Sequence, residues 1–172
     1  MFSKDCFSLV FQATIKTDSL KIGESLRHQT FIRGALRCEK SQYKNGRKDT
    51  KYTWKNGLQD GLEQWWYENG QKLYKCMWKN GLHDGLQQMW YENGQKRVEC
   101  AWKNGLRSGL LQRWHENGQQ EYECFWKIGL RELLEQRWYE NGQLRSKCVW
   151  KNGQRIEIKQ EWYENGERII IK

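Results

Sequence analysis

The chain has no proline, three histidines, three methionines and no long apolar run in its 172 residues. No stretch approaches the roughly 20 apolar residues of a membrane-spanning helix. Cys6–Phe11 is too short for the apolar part of a secretory leader, so an intracellular, cytoplasmic location is expected. Hydrophobic residues make up only 37% of the chain, too little for a thick two-layer core. His28, His83 and His115 form no pair at metal-ligand spacing, and no nucleophile–base set is visible. No catalytic, cofactor-binding or metal-binding residue is therefore assigned.

Tryptophan and glycine are plentiful instead, with 11 Trp, 16 Gly and an aromatic content of 14%, far above that of a disordered chain. Trp occurs at 54, 66, 78, 90, 102, 114, 126, 138, 150 and 162, a spacing of twelve without a slip, and Trp65 alone stands outside the series. The surrounding text recurs every 24 residues. Trp66-Tyr67-Glu68-Asn69-Gly70 returns at 90, 138 and 162, and at 114 with His115 for Tyr. Trp78-Lys79-Asn80-Gly81 returns at 54, 102 and 150, and at 126 with Ile128 for Asn. A tandem-repeat architecture follows.

Each unit holds two Asn-Gly turns between alternating segments, the strongest local hairpin signal. The fold class is therefore all-β: an elongated single-layer antiparallel meander of hairpins. Tyr74, Cys76, Trp78, Leu86 and Trp90 share even numbers, so a single apolar face requires loops of odd length. Glu68-Asn69-Gly70 meets this as a three-residue loop, a type I turn followed by a left-handed Gly. Lys79–Gly85 is read as a seven-residue loop, with a tight three-residue turn as the alternative, giving strands near 71–78 and 86–91. Trp78 then faces Leu86, the ten periodic Trp form two rows beside the sheet margins, and Leu62, Leu86, Leu110, Leu134 and Ile158 fill the gaps in the first row.

Residues 1–29 show no repeat, although Leu9, Phe11, Ala13 and Ile15 alternate like a strand and suit a cap. The array is expected over 30–167, with Phe31-Ile32-Arg33-Gly34 as a decayed unit and 168–172 as a C-terminal strand end. Asp60-Gly61 and Asp84-Gly85 become Ser108-Gly109, Glu132-Leu133 and Ile156-Glu157, where loss of Gly should strain any site needing positive φ.

The unit Trp-Tyr-Glu-Asn-Gly-Gln-Lys followed by Trp-Lys-Asn-Gly-Leu-x-Asp-Gly-Leu resembles the MORN-type repeat over about residues 42–167. It is most similar to the variant of bacterial YwqK-family antitoxin modules and to arrays of marseillevirus-type large DNA viruses. Cys76, Cys100, Cys124 and Cys148 depart from the family, which usually has Gly there. The resemblance implies a curved single-layer sheet without catalysis, acting in protein interaction, phospholipid association or toxin neutralisation.

The four cysteines share one repeat position, so neighbours lie about 9.5 Å apart, too far for a disulfide or a shared zinc. They are expected as buried reduced thiols. Lys55, Lys79, Lys103, Lys127 and Lys151 should line one margin, and Glu68, Glu92, Glu116, Glu140 and Glu164 the other. Trp65, Met89, Leu111 and Phe125 interrupt the pattern on what is read as the other face, forming a broken apolar patch suited to a protein partner. The net charge of +9 sits mainly in residues 1–53, with 11 Lys/Arg against 5 Asp/Glu. Arg33, Arg37, Lys40, Lys44, Arg47, Lys48 and Lys51 are the candidate contacts for an anionic membrane surface. Nucleic acid is not the expected partner. A non-enzymatic scaffold for a protein partner leads, ahead of peripheral phospholipid binding and of antitoxin-like inhibition.

Overall fold

A computed structural model describes residues 15–22, 25–32, 35–156 and 159–170. Among these residues there is no helix, and one open antiparallel sheet runs in meander order. It begins with β1 (Ile15–Ile22), β2 (Ser25–Ile32), β3 (Ala35–Gln42) and β4 (Lys48–Lys55). Next come β5 (Leu58–Gln59), β6 (Gly61–Trp66), β7 (Lys72–Lys79), β8 (Leu82–His83), β9 (Gly85–Trp90) and β10 (Lys96–Lys103). Four long strands follow, β11 (Leu106–Trp114), β12 (Gln120–Lys127), β13 (Leu130–Trp138) and β14 (Leu144–Lys151). The sheet ends with β15 (Gln154–Arg155), β16 (Gln160–Trp162) and β17 (Arg168–Ile169). Leu9, Phe11, Ala13, Arg33 and Ile158 lie outside the described residues.

The turn at Glu68-Asn69-Gly70 has the expected form. Gly70 N donates to Tyr67 O at 2.9 Å, Gly70 takes φ 91°, and Gln71 N donates to Asn69 Oδ1 at 2.8 Å. The seven-residue loop at Lys79–Gly85 does not form. Lys79 pairs with Leu82 across a two-residue turn in which Asn80 and Gly81 have φ 50° and 77°, the type I′ geometry that matches strand twist. The pairing then shifts from Trp78 opposite His83 to Tyr74 opposite Met89, so two extra residues bulge out around Asp84-Gly85.

This register reverses the expected facing of every second strand. Tyr74, Cys76 and Trp78 share their face with odd-numbered Gln87 and Met89, not with Leu86 and Trp90. All the buried side chains among the described residues sit on this cysteine face: Tyr74, Cys76, Cys100, Leu111, Tyr122, Cys124 and Cys148, with the polar Ser41, Glu63, Glu135 and Ser146. Leu86, Leu110 and Leu134 do not fill gaps between Trp rings; they lie on the opposite, leucine face and are 43%, 43% and 42% exposed. The two tryptophan rows also separate. Trp54, Trp78, Trp102, Trp126 and Trp150 lie on the cysteine face, and the row from Trp66 to Trp162 lies on the leucine face, where Lys48, Lys72, Lys96 and Lys147 cover four of its rings.

Hydrogen bonds from one repeat to the next hold the stack. Tyr67 Oη donates to Trp90 O at 2.9 Å and Asn69 Nδ2 to Glu92 O at 3.0 Å, a pattern repeated by Tyr91 with Asn93 and by Tyr139 with Asn141. His115 keeps the bond, with Nε2 at 3.0 Å from Trp138 O, and must carry its proton on Nε2 to donate to a carbonyl. At the other margin Asp60 and Asp84 accept from the backbone N of Asn80 and Asn104 in the next unit. Each such bond adds about 1 kcal/mol net, and the sum over neighbours is what a repeat array relies on.

The cysteine column alternates with Glu63, Gln87, Leu111 and Glu135 on intervening strands, so a strand separates each thiol from the next. Burial raises the thiol pKa of Cys76, Cys100, Cys124 and Cys148 and disfavours the reactive thiolate. In the native chain a maleimide is expected to label the half-buried Cys38 well before these four, and denaturant should make all five equal. Rapid native labelling of the four would contradict the burial described.

Candidate functional site

Two repeat positions on the cysteine face change chemistry along the array. They hold Gln59 and Trp65, then His83 and Met89, then Arg107 and Arg113, then Arg131 and Arg137. In the first pair of units the rings meet directly, with Trp65 and Tyr74 tilted against each other at 4.9 Å and His83 edge-on to Trp78 at 3.9 Å. In the second pair, arginines occupy β11 and β13, which flank β12 on either side. Arg107 lies 5.3 Å from the Trp102 ring and 5.1 Å from the Trp126 ring, and Arg131 lies 5.6 Å from Trp126 and 4.7 Å from Trp150. Arg113 and Arg137 take the two sides of Tyr122, at 5.6 and 5.2 Å. Guanidinium planes held against ring faces are oriented in advance and keep their in-plane N–H groups for other acceptors.

Glu135, 5% exposed, is the carboxylate within this group. Arg131 and Arg137 reach it at 3.4 and 3.1 Å, and Tyr122 Oη donates to it at 3.4 Å. Arg107 and Arg113 have no ion pair among the described residues. A groove of about 240 Å³ opens among Arg107, Arg113, Tyr122, Trp126, Arg131 and Arg137, and Arg145 and Glu121 also line it. That is below the range of drug-sized pockets and suits a single charged group.

The indole bonding of the tryptophan row on the cysteine face is uneven along the array. Trp78 Nε1 donates to Glu63 at 2.5 Å and Trp102 Nε1 to Gln87 at 2.6 Å. The next residue in that series is Leu111, which has no acceptor, and among the described residues Trp126 Nε1 is buried without a partner, as are Arg107 Nε and the indole N–H groups of Trp54, Trp65 and Trp150. Orphaned buried donors are rare and call for an explanation.

The apolar patch expected from the sequence is divided by the register. Trp65, Met89 and Leu111 lie on the cysteine face and Phe125 on the leucine face beside Leu110. Leu111, 2% exposed, packs with Cys100, Cys124 and Tyr122 as part of the core. Of the basic candidates, Lys40, Lys48 and Lys51 meet on the leucine face with His28 and Trp66 around a hollow of about 470 Å³. Arg47 Nη1 donates to Glu68 O at 3.2 Å, Lys44 lies in the turn after β3, Arg37 sits within β3, and Arg33 is outside the described residues. Sequence reasoning missed the arginine groove, although the 24-residue recurrence of Arg107 as Arg131 and Arg113 as Arg137 was its signal. No group of His, Cys, Asp and Glu among the described residues could hold a metal ion. Among curated proteins, none matches this chain. Three stretches of the hairpin array, residues 59–80, 84–104 and 131–152, match the family described as MORN repeat variant.

Proposed function

We propose that this chain is a non-enzymatic repeat scaffold that presents the cysteine face of its sheet to a protein partner, with the arginine groove as the contact. Repeats of the MORN variant are commonly protein- or membrane-binding scaffolds, and the family is generally non-enzymatic. One observation carries the choice of face. The recurrent Tyr, Asn and Asp side chains are consumed in joining one repeat to the next, whereas Arg107 and Arg113 bond to no carboxylate among the described residues. A photo-crosslinking residue at position 113 in native host cells is expected to capture one specific protein, and one at Leu86 on the opposite face is not. Capture from Leu86 alone would put the contact on the leucine face.

A second reading is attachment to anionic phospholipid, favoured by the convergence of Lys40, Lys48 and Lys51 beside Trp66. Negligible cosedimentation with phosphatidylserine vesicles at physiological salt is expected. Robust binding abolished by neutralising those lysines would reverse the ranking. Antitoxin-like inhibition, of the kind the YwqK resemblance implies, would be one form of the protein-binding role, and a viral source would fit equally.

A further inference from the structure

We infer that the groove between β11 and β13 recognises a phosphoryl dianion carried on an extended segment of the protein partner, an assignment that rests on the scaffold reading above. Arg107, Arg113, Arg131, Arg137 and Arg145 line the groove with Glu121, and the buried Glu135 lies against two of them, so the site holds a clear positive excess. Arg131 and Arg137 are already committed to Glu135, while Arg107 and Arg113 lie against ring faces and pair with no carboxylate among the described residues. Arg107 and Trp126 line this groove, and Arg107 Nε and Trp126 Nε1 are buried donors without a partner among the described residues, as are the indole N–H groups of Trp54, Trp65 and Trp150 outside it. A ligand for the uncommitted guanidinium groups of Arg107 and Arg113 must carry negative charge and accept several hydrogen bonds. A lone carboxylate has one charge and two oxygens, whereas a phosphoryl group brings a charge near −2 and three acceptor oxygens, which match the guanidinium forks.

The surroundings favour a peptide over a lipid surface. Glu116 and Glu140 stand in the turns at the near margin of the sheet, and Glu121 lines the groove. A bilayer of anionic lipid is a continuous negative plane and would meet these carboxylates together with the arginines. An extended chain with one phosphorylated residue can reach the groove and keep clear of the margin.

The test is a ¹⁵N-resolved NMR titration of the full chain with the peptide acetyl-Gly-Gly-phosphotyrosine-Gly-Gly-amide, beside its unphosphorylated and Glu-substituted forms at matched ionic strength. The Trp126 Nε1–H and Arg107 Nε–H signals are expected to shift together and saturate with the phosphopeptide alone. Arg113→Gln, at an exposed position, should weaken that binding at least tenfold, and Arg97→Gln, outside the groove, should leave it unchanged. Equal shifts with all three peptides, or none, would overturn the phosphoryl assignment. Vesicles of phosphatidylserine bound through Arg113, with no phosphopeptide response, would overturn it in favour of a lipid surface. Loss of the phosphopeptide response while cross-linking from position 113 persists would remove this inference and leave the scaffold reading standing. The reverse result would remove the scaffold reading alone.

Discussion

Glu135→Ala is expected to destabilise the chain by about 3 kcal/mol, more than any other single truncation of a polar side chain in the array. Removing one member of a buried ion pair costs about 3–5 kcal/mol when its partner is left uncompensated. The partners here recover some solvent, since the side chains of Arg131 and Arg137 are 34% and 45% exposed, so the ionic part falls below that range. Tyr122 adds to the loss, because its hydroxyl is buried and would be left without its acceptor, at about 1–3 kcal/mol. Glu135→Gln, which keeps the shape and an acceptor oxygen for Tyr122, should lose about half as much. Urea unfolding followed by tryptophan fluorescence measures both. Equal, small losses for the two variants would show that the carboxylate does not organise the arginines.

Ile128→Asn should have the opposite sign and stabilise the chain by about 1–2 kcal/mol. Ile128 occupies the first position of a type I′ turn at φ 49°, where four other units place Asn at φ 48–51°. A β-branched residue in that left-handed region brings Cβ against the backbone, and Asn tolerates it far better. The side chain is 70% exposed, so little packing is lost on substitution. Leu133 is strained in the same sense at φ 62°, at the bulge where Gly61, Gly85 and Gly109 stand in the other units, and Leu133→Gly should add a gain of about 1 kcal/mol. For a chain of this size, each kcal/mol corresponds to roughly 2–4 °C in Tm. The reciprocal change Asn104→Ile should lower Tm. A neutral result for both Ile128→Asn and Asn104→Ile would mean that this turn does not enforce positive φ.

The period, the Asn-Gly turns and the meander were all legible in the sequence, because aromatic and turn residues recur without a slip. The expected strain at Leu133 was legible for the same reason. The facing of alternate strands was not. A two-residue turn with a two-residue bulge, in place of the seven-residue loop, moves every second strand by one place, and an extra residue at Leu73 or Arg97 in the opposite connection restores it. The two shifts cancel over 24 residues, so the period cannot reveal them. Leu110 and Leu111 are both leucines, and their order along the chain does not say which one packs between Cys100 and Cys124. The arginine groove depended on that choice, since Arg107 and Arg113 share a face with Leu111.

The contacts of these two leucines test the register and the site built on it most directly. In a methyl-resolved nuclear Overhauser spectrum of the native chain, Leu111 methyls should show contacts to the β-protons of Cys100 and Cys124, and Leu110 methyls to the Phe125 ring. Contacts from Leu110 to the cysteines, with Leu111 beside Phe125, would restore the even-numbered face and take the four arginines off the surface that carries Trp126 and Tyr122.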